Sequence, residues 1–108
     1  MDCGIVVNPV AASNLVEGAI VDGIGTALFG GMSFQDGVPQ QKNFDTYRMI
    51  RMSEAPEAIE VHFVQNNQSP SGLGEPAFPP VFGALANALY KATGKRYYDQ
   101  PFLRKVQV

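Results

Sequence analysis

The sequence has no tryptophan, one cysteine and one histidine. A lone Cys3 excludes an intramolecular disulfide and a cysteine-based zinc site. It reads as a small apolar residue beside the first strand. Charge is scarce: Asp, Glu, Lys and Arg make up 17% of residues. A small soluble monomer needs more than this to cover its surface, so part of the surface is expected to be covered. Neither sign dominates, with 8 basic and 10 acidic residues giving a net charge of −2. No run of Lys or Arg forms a stripe, which argues against a nucleic-acid partner, because counterion release from phosphates needs clustered positive charge. Lys91, Lys95, Arg96, Arg104 and Lys105 read instead as a solvated helix end and tail. No apolar run reaches the roughly 18 residues of a bilayer span, and no secretory signal follows Met1. The sequence therefore predicts no membrane partner and leaves the compartment open between cytoplasm and cell envelope.

What is present fits one domain over residues 1–108, with a modest core. Ile5-Val6-Val7 is a short β-branched run closed by Asn8-Pro9, and it reads as a strand buried on both faces. Residues 14–29 read as a helix, with Asn14 and Glu17 as a capping box. Val16, Ala19, Ile20, Gly23, Ala27 and Leu28 fall at helical spacing. The other face is also largely apolar, with Gly18, Val21, Gly25 and Phe29. A helix apolar nearly all round is buried on more than one side. Interior glycines cost roughly 1 kcal/mol each against alanine, so Gly18, Gly23 and Gly25 predict close approach of a backbone or ligand.

Asp36-Gly37 supports the positive φ angles of a tight hairpin turn, and Pro39 makes the returning strand short. Residues 42–57 read as irregular. Ile59, Val61 and Phe63 alternate with Glu60 and His62, which predicts a strand with one wet face. A loop rich in Gly, Pro and Ser precedes a second helix over residues 80–93, which Gly94 ends. The aromatic tail around Tyr97, Tyr98 and Phe102 is expected to pack. This order predicts an α+β, two-layer domain, a small mixed β-sheet with two helices on one face.

The most informative stretch is Ser71-Gly72-Leu73-Gly74-Glu75-Pro76. Gly72 and Gly74 let the backbone approach a neighbour or ligand, and Pro76 pushes Glu75 into an extended conformation. A single carboxylate is thereby displayed on a constrained loop before a helix, the fixed placement that a general base requires. From spacing alone, a plain turn with a solvated glutamate is the stronger reading. A phosphate loop is excluded, because no lysine follows and Glu75 would repel phosphate.

Five motifs in order shift that balance. Asp2-Cys3-Gly4-Ile5-Val6-Val7-Asn8-Pro9, Val16-Glu17-Gly18-Ala19, Asn43-Phe44 with Tyr47, Gly72-Leu73-Gly74-Glu75-Pro76, and Pro79-Pro80 with Ala86-Asn87-Ala88 resemble the C-terminal part of a molybdenum hydroxylase large subunit. That family includes xanthine dehydrogenase and aldehyde oxidoreductase. Arg51-Met52-Ser53-Glu54-Ala55-Pro56 and Ile59-Glu60-Val61-His62-Phe63 are most like its isoquinoline 1-oxidoreductase β-subunit branch.

The resemblance implies a molybdenum–pyranopterin cofactor, in the cytosine dinucleotide form in bacterial relatives. It implies hydroxylation of an N-heteroaromatic or aldehyde carbon with oxygen from water. Glu75 matches the family's active-site base, and Gly74 and Asn14 become candidate cofactor contacts. The implied partners are the rest of the molybdenum subunit, a [2Fe-2S] small subunit and a small N-heterocyclic or aldehyde substrate. One departure stands out: Leu15 occupies a position where many relatives carry a glutamine that helps hold the cofactor, and adjacent Asn14 is the candidate substitute. The family's subunits are several times longer than this chain, so the isolated chain is expected neither to hold the cofactor nor to turn over. Its uncovered apolar surface predicts self-association. The alternative reading is a non-catalytic remnant serving as a binding or assembly module.

Overall fold

The computed structural model describes residues 1–104, without the side chain of Arg104; Lys105 lies outside the described residues. Helix α1 spans Pro9–Phe29 and α2 spans Phe78–Thr93, while β1 (Phe34–Gln35) and β2 (Val38–Pro39) form a hairpin. The α+β class holds. The sheet is a two-stranded antiparallel hairpin, so the expected mixed sheet is not formed among the described residues.

Helix α1 begins earlier than residue 14. Asn8 is its N-cap, with a side chain that accepts a hydrogen bond from the Ala11 N–H at 3.1 Å. Pro9 at the first helical position loses only an N–H that would have had no partner there. The capping box at Asn14 and Glu17 is therefore corrected: Asn14 lies inside the helix, exposed. Pro79 and Pro80 open α2 in the same way, and Gly94 closes it at φ 71°, donating its N–H to the Tyr90 carbonyl. The hairpin turn matches its sequence signal, with Asp36 at φ 51° and Gly37 at φ 76°.

Residues 5–7 do not form the expected buried strand, and Ile5 and Val7 are 49% and 79% exposed. The N-terminal segment instead runs beside residues 62–71. The Met1 nitrogen donates to the His62 carbonyl, and the Val64 N–H donates to the Met1 carbonyl. Further along, Ile5 donates to Gln68 and Ser71 donates to Cys3. Gly4 makes this possible at φ +70°, where a Cβ would stand 2.3 Å from the Ser69 carbonyl oxygen. Burial alternates along residues 59–64, as expected of a strand with one wet face, but no ladder forms there.

The core is small. Cys3, Ala12, Val16, Leu73 and Ala77 are buried together, flanked by half-buried Val6, Ile20, Val61 and Phe63. The extended segments thus form one layer against α1, and α1 packs on α2. Cys3 fills the apolar role expected of it. The tail packs in part: Phe102 is 3% exposed, faces Tyr97 at 5.9 Å between ring centroids, and lies in a 3₁₀ turn against α1, whereas Tyr98 is 87% exposed. Gly23 and Gly25 explain the all-round apolar character of α1. A Cβ on Gly23 would meet Val81 of α2 at 2.9 Å, and one on Gly25 would meet Ile50 at 2.8 Å. Two residues apart on a helix is roughly 200° of rotation, so α1 is packed on opposite sides. Gly18 meets nothing within 4 Å.

Much apolar surface stays uncovered. No residue of α2 is buried. The accessible surface is 7892 Å² for 11.7 kDa, against about 5,900 Å² for a compact monomer of that mass. The radius of gyration, 16.6 Å, exceeds the roughly 13 Å of a compact domain of this length.

Candidate functional site

Glu75 sits where the loop after Leu73 turns into α2. Buried Leu73 and Ala77 anchor the loop on either side, while Gly74, Glu75 and Pro76 are exposed. The Phe78 N–H donates to the Glu75 carbonyl at 2.9 Å, which fixes the turn, and Phe78 stacks edge-to-face on Phe82 with centroids 5.1 Å apart. The main chain of Glu75 is thus held while its carboxylate has no hydrogen-bond partner among the described residues.

Glu75 lines a groove of about 390 Å³ with Ala19, Asp22, Gly74, Phe78 and Pro79. Asp22 is the residue that sequence reasoning missed. It stands out only as a charge in the middle of a nearly apolar helix, and nothing local ties it to a loop so distant in sequence. The structure brings Gly74 to Glu75 but places Asn14 elsewhere. Asn14 lines a second groove, of about 710 Å³, with Glu17, Gly18 and Ile59 among others; Asp22 borders both grooves. Tyr47 lines a third groove, which Asp22 also borders, beside Arg48 and Ile50. Phe44 is 77% exposed, and neither Asn43 nor Phe44 lines the groove of Glu75.

A large cofactor fits this loop as one wall of its site. A Cβ on Gly72 or Gly74 would meet nothing within 4 Å, so the backbone is open to a bulky neighbour. No group of three or more His, Cys, Asp or Glu is placed to hold a metal among the described residues. A metal here would need ligands from the cofactor or from other protein. Pro79 and Pro80 also remove two N–H groups from the start of α2, which leaves that helix end poor in donors for an anionic group. The chain supplies one wall and a carboxylate, not an enclosure.

Comparison with known proteins agrees with this partial character. Residues 1–56 match the family described as molybdopterin cofactor-binding domain. The chain is 35% identical over 101 residues to the membrane-bound aldehyde dehydrogenase [pyrroloquinoline-quinone] of Gluconacetobacter polyoxogenes, covering 94% of this chain and 13% of that protein. It is 33% identical to isoquinoline 1-oxidoreductase subunit beta of Brevundimonas diminuta, again over 94% of this chain and 13% of that protein. Quinoline 2-oxidoreductase from Pseudomonas putida 86 shares the fold, with a TM-score of 0.73 at 17% identity over 96% of this chain and 15% of that one. The chain thus spans about an eighth of the length of these curated relatives. With a family match over more than half its length, the chain belongs to the molybdopterin cofactor-binding domain family of molybdenum-dependent oxidoreductases.

Proposed function

We propose that this chain supplies the general base to the active site of a molybdenum hydroxylase large subunit, and that Glu75 is that base. The observation that carries the reading is the contrast at residue 75: a main chain held by Leu73, Ala77 and the Phe78 hydrogen bond, and a carboxylate without an internal partner among the described residues, on a residue that lines a groove.

When bound, the molybdenum–pyranopterin group, in its cytosine dinucleotide form, supplies a water-derived oxygen made acidic by the metal and an acceptor for the substrate's electrons. Glu75 would take up, at a carboxylate oxygen, the proton that this chemistry releases, and its fixed backbone would keep that acceptor in reach. Gly74 lets the cofactor approach the loop, and Asn14 contacts it from the adjoining groove. The substrate is a small N-heteroaromatic ring or an aldehyde, and the electrons leave through a [2Fe-2S] small subunit. The rest of the molybdenum subunit encloses the site, so the 108-residue chain alone retains no molybdenum. Among the described residues no helix is long and apolar enough to cross a membrane.

The test is Glu75→Gln in the full-length parent enzyme. Turnover is expected to fall about 10²–10⁴-fold, the usual worth of a general base, with molybdenum content unchanged. Wild-type turnover in that variant overturns the assignment. The first relative's name specifies pyrroloquinoline quinone, and quinone together with metal analysis of the purified parent separates the two cofactors. The second reading, a non-catalytic assembly module, is favoured by the exposure of the groove, and the same variant excludes it if turnover is lost.

A further inference from the structure

The groove that Glu75 lines carries formal charge of one sign only. Ala19 and Asp22, three residues apart on one face of α1, border it with Gly74, Glu75, Phe78 and Pro79. Two of these six residues are carboxylates and none is basic. Asp22 is half-buried and has no hydrogen-bond or ion-pair partner among the described residues. Arg48 borders another groove of Asp22, but its guanidinium is paired with Glu54 and lies over the Phe29 ring, 4.1 Å from the centroid. The start of α2 does not offset the charge either. A helix start ordinarily offers N–H groups to an anion, and here Pro79 and Pro80 remove two of them.

We infer that Asp22 selects the charge of the substrate: the groove admits neutral and cationic rings or aldehydes and rejects those that bear a carboxylate. The inference rests on the reading of Glu75 as the base, because the reacting carbon then lies within reach of that carboxylate and so beside this groove. A cleft lined by one sign of charge, with low-dielectric walls, focuses its field and gathers ligands of the opposite sign. Ala19, Phe78 and Pro79 are the apolar walls here. Selection of this kind works by repelling the wrong ligand rather than by gripping the right one. Contacts that separate one neutral substrate from another belong to the rest of the subunit. Enclosure by that remainder lowers the local dielectric and strengthens the repulsion from residue 22. Asp22 acts through its field, which makes it a specificity residue and not a catalytic one.

The field is measured on the 108-residue chain, with small nitroxides of positive and negative charge that relax the amide protons of Gly74, Glu75 and Phe78. The cationic probe is expected to relax them more. Asp22→Asn removes one of the two charges and is expected to cut that excess by about half. Equal relaxation by the two probes overturns the inference. The consequence is measured on the full-length parent enzyme. Pyridine-3-carboxamide and pyridine-3-carboxylate, alike in ring and size, are compared as substrates, or as competitive inhibitors where they do not turn over. Wild type is expected to favour the amide. Asp22→Asn is expected to raise the relative kcat/KM, or relative affinity, of the carboxylate about tenfold, the order of one like charge a few ångströms away in a partly wet site. A ratio taken within one variant cancels any general loss of activity. Asp22→Glu keeps the charge and is expected to keep the wild-type ratio, which separates charge from shape. A ratio unmoved by Asp22→Asn, in an enzyme whose Glu75→Gln variant loses turnover, overturns the role of Asp22 and leaves Glu75 as the base. Wild-type turnover of Glu75→Gln removes the reading beneath both.

Discussion

A Cβ built on Gly23 of α1 would lie 2.9 Å from the Cβ of Val81 on α2, closer than two such carbons pack. The two helices therefore approach through a missing side chain. Gly23→Ala forces the pair apart, and overpacking of this kind costs about 1–3 kcal/mol, partly offset by up to about 1 kcal/mol of helix propensity. Gly18→Ala meets open space and is expected to stabilise by about 0.5–1 kcal/mol. Urea unfolding of the two variants should move in opposite directions. If both move alike, the packing at Gly23 does not set the helix separation.

Gly4 is expected to be the least replaceable glycine. Its φ of +70° disfavours a side chain, and a Cβ would press on the Ser69 carbonyl at 2.3 Å. Gly4→Ala should destabilise by about 2–4 kcal/mol, combining strain with loss of the N-terminal pairing. The measurement is a denaturant midpoint. An unchanged midpoint would mean that residues 1–5 contribute nothing to stability.

Acid should loosen two joints. The Gly4 N–H, then the Asn66 amide, hold the Asp2 carboxyl below its ordinary value, and Arg48, then the Arg51 N–H, do the same for Glu54. Both pKa values are depressed in the folded state, so this stability is fully present above the unfolded carboxylate value, about 4. It is lost as pH falls through the lower folded values. Asp2→Asn and Glu54→Gln should each flatten the acid limb of stability against pH and leave the curve's shape above pH ~6 unchanged. A variant with the wild-type slope would contradict the corresponding contact.

Glu75→Gln should leave the fold untouched. The carboxylate is exposed and has no internal partner among the described residues, and surface changes of this kind stay within about 0.5 kcal/mol. A matching thermal midpoint would show that any loss of turnover in the parent enzyme is chemical. Phe102→Ala is the contrasting change. That ring is 3% exposed, and its removal should cost about 3–5 kcal/mol.

Where a feature depends on neighbouring residues, the sequence reveals it. The hairpin follows from Asp36-Gly37, because a tight turn needs positive φ at these positions and the residues that tolerate it are few. Gly94 marks the end of α2 for the same reason. The start of α1 was misplaced because two capping signals compete: Asn14 with Glu17 satisfies the local pattern as well as Asn8 with Pro9. Only the paths of the segments before and after the helix decide between them. The strand expected at residues 5–7 failed for a related reason. β-branched residues favour an extended chain, but a strand exists only where a partner completes its ladder.

The sequence by itself determined the family, through five ordered motifs, and the hairpin turn, because Asp36 and Gly37 tolerate the positive φ it needs. Only the tertiary structure decided which glycines of α1 face Val81 and Ile50, and that Asp22 shares the groove of Glu75 while Asn14 lines its neighbour. Backbone preferences are local and can be read along the chain. Contacts between distant residues are set by how the helices and extended segments pack, which no short stretch of sequence encodes.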